Sequence, residues 1–265
     1  MPDCHSASSR RGRIRVAASG LVLLAVLWPV LSGPVLGWPV LSGDPARAAT
    51  ASDRLLPGDA LQAGQWISAG SDTLAMQGDG NLVLYAPGST PIWATNTAGN
   101  DGAQLVMQTD GNLVLAMPGG RPLWAAGTGG HSGSVLILQA DGDVVIDAPG
   151  GVVLWSTNTS KQTYAVVQLA AHGWGPDQFG CLNSIWVRES GWNELAGNTA
   201  RAYGIPQANP GTKMATAGPD WRTNPQTQIR WGEDYIQSRY GSPCQAWTFW
   251  QARTYYGPLL AVVPF

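Results

Sequence analysis

Polar and hydrophobic residues alternate through the first half of the chain, and this alternating pattern occurs three times. Residues 77–85 read QGDGNLVLY, residues 108–116 read QTDGNLVLA, and residues 139–147 read QADGDVVID. Each copy begins 31 residues after the previous one, and the same spacing separates Trp93, Trp124 and Trp155. Equal spacing at independent markers indicates a repeated structural unit.

Each copy is predicted to be a β-hairpin. In the first copy, apolar residues at every second position flank an Asp79-Gly80 turn signal, and they are Leu74, Met76, Leu82 and Leu84. The alternation places these four side chains on the inner face of the hairpin. The outer face then carries Gln77, Asn81, Val83 and Tyr85, with Asp79 at the turn. Carboxylate, amide and phenol groups above an apolar floor are suited to binding the hydroxyl groups of a sugar.

The pattern Gln-x-Asp-x-Asn-x-Val-x-Tyr resembles the mannose-binding motif of the bulb-type, or monocot, lectins. The resemblance extends over residues 54–160. It implies an all-β prism of three four-stranded sheets, with one sugar pocket in each sheet and tryptophans packed in the middle. It also implies that the outer-face residues of the first copy bind a mannose-like sugar.

The second and third copies depart from this motif. The second copy keeps Gln108, Asp110 and Asn112, but Ala116 stands in place of the tyrosine, so we expect weaker binding there. In the third copy, Asp143 replaces the asparagine and Asp147 the tyrosine, which leaves Gln139 as its amide donor. We expect no sugar binding at the third copy.

A polar segment, Thr157–Thr163, is interpreted as a linker, after which the pattern becomes helical. Residues 163–265 are predicted to form a second, mainly α-helical domain. Within it, Glu189 follows Leu182, Ile185 and Trp186 at helical spacing, just before the helix-ending Gly191. A carboxyl group beside an apolar stripe is partly desolvated, which raises its pKa and suits a general acid. The alternative is a surface glutamate paired with Arg188.

Four stretches of the second domain resemble the actinobacterial lysozyme-like domains, which are akin to lytic transglycosylases and resuscitation-promoting factors. They are residues 189–192 (ESGW), 203–207 (YGIPQ), 218–224 (GPDWRTN) and 231–243 (WGEDYIQSRYGSP). The resemblance implies that Glu189 is the catalytic acid and that Ser190 and Gln207 line the glycan groove. Trp192 and Tyr203 match positions at which sugars stack.

A glycosidase of the two-carboxylate kind requires a second acid beside the substrate. The sequence assigns none, because Glu194 lies too close along the chain, and three other acids are interpreted as turn or helix-surface residues: Asp220, Glu233 and Asp234. The resemblance implies a single-acid route in which the N-acetyl group of the substrate stabilises the cation and a 1,6-anhydro sugar forms.

The expected activity is cleavage of the β-1,4 bond between MurNAc and GlcNAc in peptidoglycan, with the lectin domain held on mannose-containing glycans. The alternative is a non-catalytic carbohydrate-binding protein, such as a lectin-like bacteriocin or adhesin. In that version, the lysozyme-like domain only binds the cell wall. Loss or retention of glycan cleavage distinguishes the two interpretations.

The first 48 residues have the order of a secretory signal. A basic run at residues 9–15 precedes an apolar stretch at residues 16–43 and a small-residue cleavage site ending at Ala48. A membrane anchor is the alternative, and both general and twin-arginine export are compatible with the basic run. We expect a secreted, cell-wall-associated protein without stable membrane insertion after cleavage.

The charge and the cysteine and histidine content bear on the possible partners, the disulfide and the cofactors of the protein. Removing the first 48 residues leaves 10 basic and 15 acidic residues and a net charge of −5, which disfavours nucleic acid as a partner. Cys181 and Cys244 remain, and in an oxidising compartment they are predicted to form a disulfide. His131 and His172 have no neighbouring ligands at metal-binding spacing, so no metal or other cofactor is predicted. The apolar tail at residues 257–265 has no functional interpretation.

Overall fold

The structure of the chain, a computed structural model, describes residues 52–255. The predicted signal segment with its cleavage site, and the apolar tail at residues 257–265, lie outside the described residues. Within residues 52–255, each helix is too short or too polar to cross a membrane.

Residues 54–156, called the sheet domain below, contain twelve short strands, numbered β1 to β12 in chain order. Their bounds are Arg54–Leu55, Ala60–Leu61, Trp66–Ala69, Asp72–Met76, Leu82–Ala86, Thr90–Ala94, Gln104–Met107, Leu113–Ala116, Pro122–Ala125, Val135–Leu138, Val144–Ala148 and Val152–Ser156. A 3₁₀ turn at Pro87–Ser89 precedes β6.

The strands form three four-stranded sheets, each containing one copy of the repeat. The first sheet has the order β3-β4-β5-β6, the second β2-β7-β8-β9, and the third β1-β10-β11-β12. The short strands β1 and β2 therefore complete sheets whose other strands come later in the chain. This order follows the prism that the repeat and its resemblance imply.

Apolar side chains from all three sheets meet in one core. The four inner-face residues predicted for the first copy are each at most 1% exposed. Their counterparts from the other copies pack against them. At the centre of the domain, Trp93, Trp124 and Trp155 contact each other edge to face, with ring centroids 5.6 to 5.9 Å apart. The predicted three-sheet prism around central tryptophans is confirmed.

Residues 160–255, called the helical domain below, contain four α-helices. They are α1 Ser160–Leu169, α2 Gln178–Glu189, α3 Pro225–Tyr240 and α4 Pro243–Tyr255, with 3₁₀ turns at Ala170–His172 and Gly211–Thr216. Their apolar faces enclose a core that includes Phe179, Leu182, Ile185 and Trp186. The predicted disulfide between Cys181 and Cys244 is present and joins α2 to α4, with the two Cα atoms 4.9 Å apart.

The predicted linker is wrong in its second half, because α1 begins at Ser160 and continues through Thr163. The backbone N–H of Thr159 donates to Asp143 Oδ1 (3.1 Å), and its hydroxyl donates to the Gly142 carbonyl (2.7 Å). A β-carbon at Gly142 would collide with the Thr163 side chain. The third repeat therefore packs directly against the first turn of α1.

The first sheet makes a second contact with the helical domain. Ala86, at the end of β5, belongs to the buried cluster of the helical domain, and Ile92 of β6 packs against the same cluster. Gly88, between these strands, lies against Pro176 in the segment before α2. Side-chain packing thus joins the two domains at two places.

Candidate functional site

Glu189 is the last residue of α2, and its side chain is half-buried. The indole N–H of Trp250 donates to Glu189 Oε1 at 3.0 Å. Burial raises the pKa of Glu189, and the hydrogen bond from Trp250 opposes that rise only in part. No ion pair joins Glu189 to a basic side chain within the described residues. The carboxyl group is therefore partly desolvated, and Trp250 holds one of its oxygens.

Arg188 does not neutralise its neighbour. Its guanidinium donates to the Ser184 carbonyl (2.9 Å) and lies over the Trp247 ring, 4.8 Å from the centroid. It is also 5.9 Å from the Trp250 ring centroid, and the two tryptophans are stacked with centroids 5.2 Å apart. The alternative of a surface pair between Glu189 and Arg188 is absent from the structure. The arginine instead makes cation–π contacts beside the acid.

Trp247 and Trp250, which the structure places beside Glu189, are residues to which the sequence pattern alone assigns no role in the site. A signal for them was present. Glu189 follows Cys181 by eight residues, and Trp250 follows Cys244 by six. If the disulfide aligns α2 and α4, residues two turns beyond each cysteine lie at similar heights on facing helices. The spacing from the disulfide therefore predicts aromatic side chains beside Glu189.

Ser190 and Gln207 lie next to the end of α2, where they bind main-chain carbonyls. The Ser190 hydroxyl donates to the Ile205 carbonyl at 2.8 Å. The Gln207 amide donates to the Gly204 carbonyl at 2.8 Å, and Gln207 itself has a positive φ of 52°. The Ser190 bond holds the turn at residues 203–208 against the end of α2, and the Gln207 bond closes that turn. A direct contact of either side chain with a glycan stays a prediction.

The expectation that Trp192 and Tyr203 stack on sugars is wrong for this structure. Their exposed fractions are 4% and 8%, so neither ring presents a face to a ligand. Trp192 packs edge to face on Trp186 at 5.0 Å, and Tyr203 packs in the same way on Trp221 at 5.8 Å. Both aromatic groups satisfy their polar atoms internally and belong to the core.

The other carboxylates of the helical domain are engaged away from Glu189. Glu194 is paired with Lys161, and although burial opposes it, this partner lowers the pKa of Glu194. Asp220 accepts from Asn224 and Thr227 at the start of α3, and these hydrogen bonds lower its pKa. Asp234 is exposed on α3, and Asp177 lies at the opposite end of α2. Glu189 is therefore the one candidate acid of the described helical domain.

Glu233 was interpreted as a turn or helix-surface residue, and this is wrong. Its side chain is fully buried in α3, and neither carboxyl oxygen has a hydrogen-bond partner within residues 52–255. Burial, together with the nearby charge of Asp234, raises the pKa of Glu233 to about 9. Glu233 is therefore protonated near neutral pH and contributes no charge to the site.

In the sheet domain, the first copy of the motif brings its predicted residues together. Tyr85 lies beside Gln77, whose amide donates to the phenol oxygen at 2.6 Å. The backbone N–H of Asn81 donates to Asp79 Oδ1 at 3.0 Å. The motif therefore forms one compact polar cradle on the outer face of the first sheet.

Asn81 also binds the loop after β6, a contact that the sequence pattern does not predict. Its Oδ1 accepts from the Thr95 hydroxyl and from the Thr97 backbone N–H, both at 3.1 Å. This fixes the loop after β6 next to the motif. The amide nitrogen has no hydrogen-bond partner within residues 52–255 and is free to donate to a ligand.

The second copy keeps the same scaffold. Asn112 Oδ1 accepts from the backbone N–H groups of Gly127 (3.1 Å) and Thr128 (3.0 Å), and Asp110 accepts from the Asn112 backbone. Ala116 leaves Gln108 without the phenol that the first copy provides. This second site has its amide and carboxylate but lacks one wall.

In the third copy, the carboxylate of Asp143 is engaged with the junction between the domains. Asp143 accepts from the hydroxyl groups of Ser156 (2.5 Å) and Thr157 (2.6 Å), in addition to the Thr159 backbone. Gln139 and Asp141 are exposed, and Asp147 Oδ1 is buried without a partner among the described residues. At this copy, Asp143 therefore holds the start of α1.

Comparison with known proteins finds similar proteins for both domains. Residues 178–254 match the family model described as the transglycosylase SLT domain. The region with the three sheets is similar to solved lectins, among them the mannose-specific agglutinin of snowdrop (Galanthus nivalis) bulbs, complexed with methyl-α-D-mannoside. That likeness has 46% identity over 41% of this chain and 97% of the agglutinin, with a TM-score of 0.35. The chain joins a bulb-lectin-like domain to a transglycosylase SLT domain.

Two further lectins show the same likeness to the bulb-lectin-like domain. A monomeric monocot mannose-binding lectin from Gastrodia elata has 40% identity over 41% of this chain and 98% of that protein, with a TM-score of 0.38. A lectin from Allium sativum has 42% identity over 40% of this chain and 99% of that protein, with a TM-score of 0.35. No curated protein matches the chain.

The SLT domain begins at the first residue of α2 and includes both Glu189 and Trp250. It indicates lytic transglycosylase or lysozyme-like glycosidase activity. Within residues 52–255, no group of three or more His, Cys, Asp or Glu side chains is arranged to hold a metal ion.

Proposed function

We propose that this protein is a secreted enzyme that cleaves the β-1,4 bond between MurNAc and GlcNAc in peptidoglycan, with Glu189 as its catalytic acid. The observation that carries the proposal is the partly desolvated carboxyl group at the end of α2, inside the SLT domain and without an ion pair to any of the described basic side chains. Such a group retains a proton at higher pH than an ordinary glutamate. It can therefore protonate the leaving oxygen of a glycosidic bond.

Trp250 determines which oxygen of Glu189 carries that proton. An indole N–H can only donate, so Glu189 Oε1 must accept and the acidic proton resides on Oε2. After proton transfer, the same hydrogen bond stabilises the carboxylate. Trp250 therefore orients the acid and favours the charged form that the reaction leaves behind.

The absence of a second assigned carboxylate in the described helical domain supports a single-acid route. In this route, the N-acetyl oxygen of the substrate stabilises the cation as the glycosidic bond breaks. The carboxylate of Glu189 then takes the proton from the 6-hydroxyl of MurNAc, and that oxygen closes onto C1. The proton lost in the first step is thereby restored, and the product has a 1,6-anhydro end.

The lectin-like domain is proposed to hold the enzyme on mannose-containing glycans through the first copy of its motif. That copy retains the full set of polar groups, and Asn81 keeps a free amide donor. The third copy is committed to the domain junction, and the second lacks a wall. One competent pocket gives weak, monovalent attachment without avidity.

Export to the cell wall is part of the proposal. The basic and apolar order of residues 1–48 supports a secretory signal, and the disulfide between α2 and α4 supports an oxidising compartment. The packed contacts between the domains support their action as one unit, so that the lectin-like domain positions the SLT domain on a glycan-bearing surface.

A zymogram in a peptidoglycan gel tests the enzyme proposal. Wild type and Asp234→Asn, which removes an exposed carboxylate, should both clear the gel. Glu189→Gln should leave it uncleared while keeping the melting temperature of wild type. Clearing by Glu189→Gln would contradict the role of this acid. No clearing by wild type would favour the alternative of a non-catalytic protein that only binds cell-wall carbohydrate.

A further inference from the structure

The outer face of the first sheet continues beyond the mannose motif. Strand pairing places Trp66 opposite Ala75, and Ala75 opposite Val83 of the motif. Because neighbouring strands lie about 4.8 Å apart, Trp66 is roughly 10 Å from Val83 along this row. In the next row, Thr73 lies opposite Tyr85. The motif and Trp66 therefore share one continuous surface.

A cavity of about 410 Å³ lies on this surface, and Tyr85 connects it to the motif. Its lining residues are Trp66, Ser71, Thr73, Ala75, Tyr85, Ala86 and Ser89. The volume lies within the roughly 300–1,000 Å³ of ligand pockets. Trp66 is 49% exposed, which is unusual for so large an apolar side chain on a domain with its own filled core. The ring is available to a ligand.

Among the three sheets, the one with the complete motif is also the one with a tryptophan at this position. The position equivalent to Trp66 is Ala60 in the second sheet, where it pairs with Val106. In the third sheet it is Arg54, which pairs with Ile137 and binds Asp53. An exposed aromatic ring therefore occurs in the sheet that retains the motif tyrosine, and not in the two sheets that have lost it.

The chemistry of the cavity favours a neutral sugar. Ser71, Thr73 and Ser89 supply hydroxyl groups that both donate and accept, as sugar hydroxyls require. The Trp66 ring supplies an apolar face for the C–H groups of a pyranose. No lining residue carries a charge, so the cavity offers nothing specific to a phosphate or a carboxylate.

We propose that Trp66, Ser71, Thr73 and Ser89 form a second saccharide subsite, which meets the mannose motif at Tyr85. The first sheet then binds a mannose-containing oligosaccharide rather than a single sugar. This inference rests on the proposed mannose binding of the lectin-like domain. It adds that the first sheet gains affinity by contacting a longer ligand, because the second and third copies contribute little avidity.

Isothermal titration calorimetry of the full chain tests this subsite with methyl α-mannoside and α-linked mannotriose. Wild type should bind the trisaccharide about tenfold more tightly. Trp66→Ala should reduce trisaccharide affinity to that of the monosaccharide and change monosaccharide affinity less than twofold. Trp66→Phe should retain most of the trisaccharide affinity. Because Trp66 is half-exposed, neither variant should change the melting temperature appreciably.

Three other results would overturn the subsite. Equal affinity of wild type for the two sugars would show that nothing beyond the motif contributes. A loss from Trp66→Ala that is the same for both sugars would place Trp66 in the motif site or in its support. If wild type binds neither sugar, the proposed mannose binding itself fails, whereas the first two results leave it standing.

Discussion

The lectin-like domain holds three copies of one polar cradle, whereas the SLT domain holds one half-buried candidate acid, Glu189, at the end of a helix. In the three copies, the same asparagine or aspartate position fixes the loop after the last strand, as Asn81, Asn112 and Asp143 show. The copies differ in what is left over for a ligand. Asn81 keeps a free amide donor, and the carboxylate of Asp143 is engaged with the junction to α1.

This difference shows what repetition permits. Because the scaffold role and the ligand role share one residue, a copy can lose its ligand role without loss of the sheet. In the third copy, Asp143 holds the segment that leads into α1. The SLT domain has no duplicate of Glu189 among its described residues, so its chemistry depends on the surroundings of one side chain.

The largest effect is expected when the first copy receives the residue that the third copy has at the equivalent position, which is an aspartate. Asn81→Asp keeps the oxygen that accepts from Thr95 and Thr97, as Asp143 does from Thr157 and Thr159. It removes the amide donor and adds a charge. Mannose affinity measured by calorimetry should fall at least a hundredfold, with little change in melting temperature.

Gln139→Ala, in the third copy, is the matched control and should leave mannose binding unchanged. Retention of wild-type affinity by Asn81→Asp would show that the amide donor is dispensable. A loss of affinity in the control would show that the third copy still binds sugar.

The next largest effect is expected on the free energy of unfolding, when the buried acids Glu233 and Asp72 are replaced. Glu233 has its pKa raised to about 9 by burial and by Asp234, although His172 Nε2 lies 3.6 Å away. Between the ordinary pKa and this value, the folded state holds a proton that the unfolded state releases, so stability falls as pH rises. Glu233→Gln should remove that fall and stabilise the protein by roughly 1–3 kcal/mol at pH 8.

Asp72 provides the comparison within the lectin-like domain. Burial and the charge of Asp141 raise the pKa of Asp72 to about 6, so its effect is complete above that pH. Asp72→Asn should therefore give a smaller gain, constant from pH 7 to pH 9. Chemical unfolding at pH 4.5, 7 and 9 measures both. A gain from Glu233→Gln that does not grow between pH 4.5 and pH 9 would contradict the buried, protonated glutamate.

The smallest expected effect concerns the orientation of Glu189, the proposed catalytic acid. Trp250→Phe removes the hydrogen bond that favours the carboxylate of Glu189, so its pKa should rise further. The alkaline limb of kcat/KM for peptidoglycan cleavage should move to higher pH, with a rate loss below about tenfold. Thr248→Ala on the exposed face of α4 should leave the profile unchanged. A limb that moves to lower pH in Trp250→Phe would contradict this orientation of Trp250.

The sheet architecture could be predicted from the sequence because its signals are local and occur three times. Alternation around Asp79-Gly80 gives a hairpin, and the 31-residue period gives the sheets and the central tryptophans. The half-buried environment of Glu189 could also be predicted, since helical spacing places it beside apolar residues of its own helix. In these cases, neighbours along the chain determine the environment.

What could not be predicted depends on contacts between distant segments. Trp250 reaches Glu189 across 61 residues through the packing of α4 on α2. Thr163 is buried against Gly142, which has no side chain to exclude it. The second half of a polar segment predicted to be a linker therefore forms the first turn of α1. Trp192 and Tyr203 match a motif by position, yet the packing of Trp186 and Trp221 against them closes their faces.

Mass spectrometry of the fragments that the full chain releases from purified peptidoglycan tests the central claim most directly. We predict muropeptides with 1,6-anhydro-MurNAc ends from wild type and none from Glu189→Gln. Fragments with ordinary reducing ends would contradict the single-acid route, because they require water and a partner to activate it. Anhydro fragments from Glu189→Gln would contradict the assignment of the acid itself.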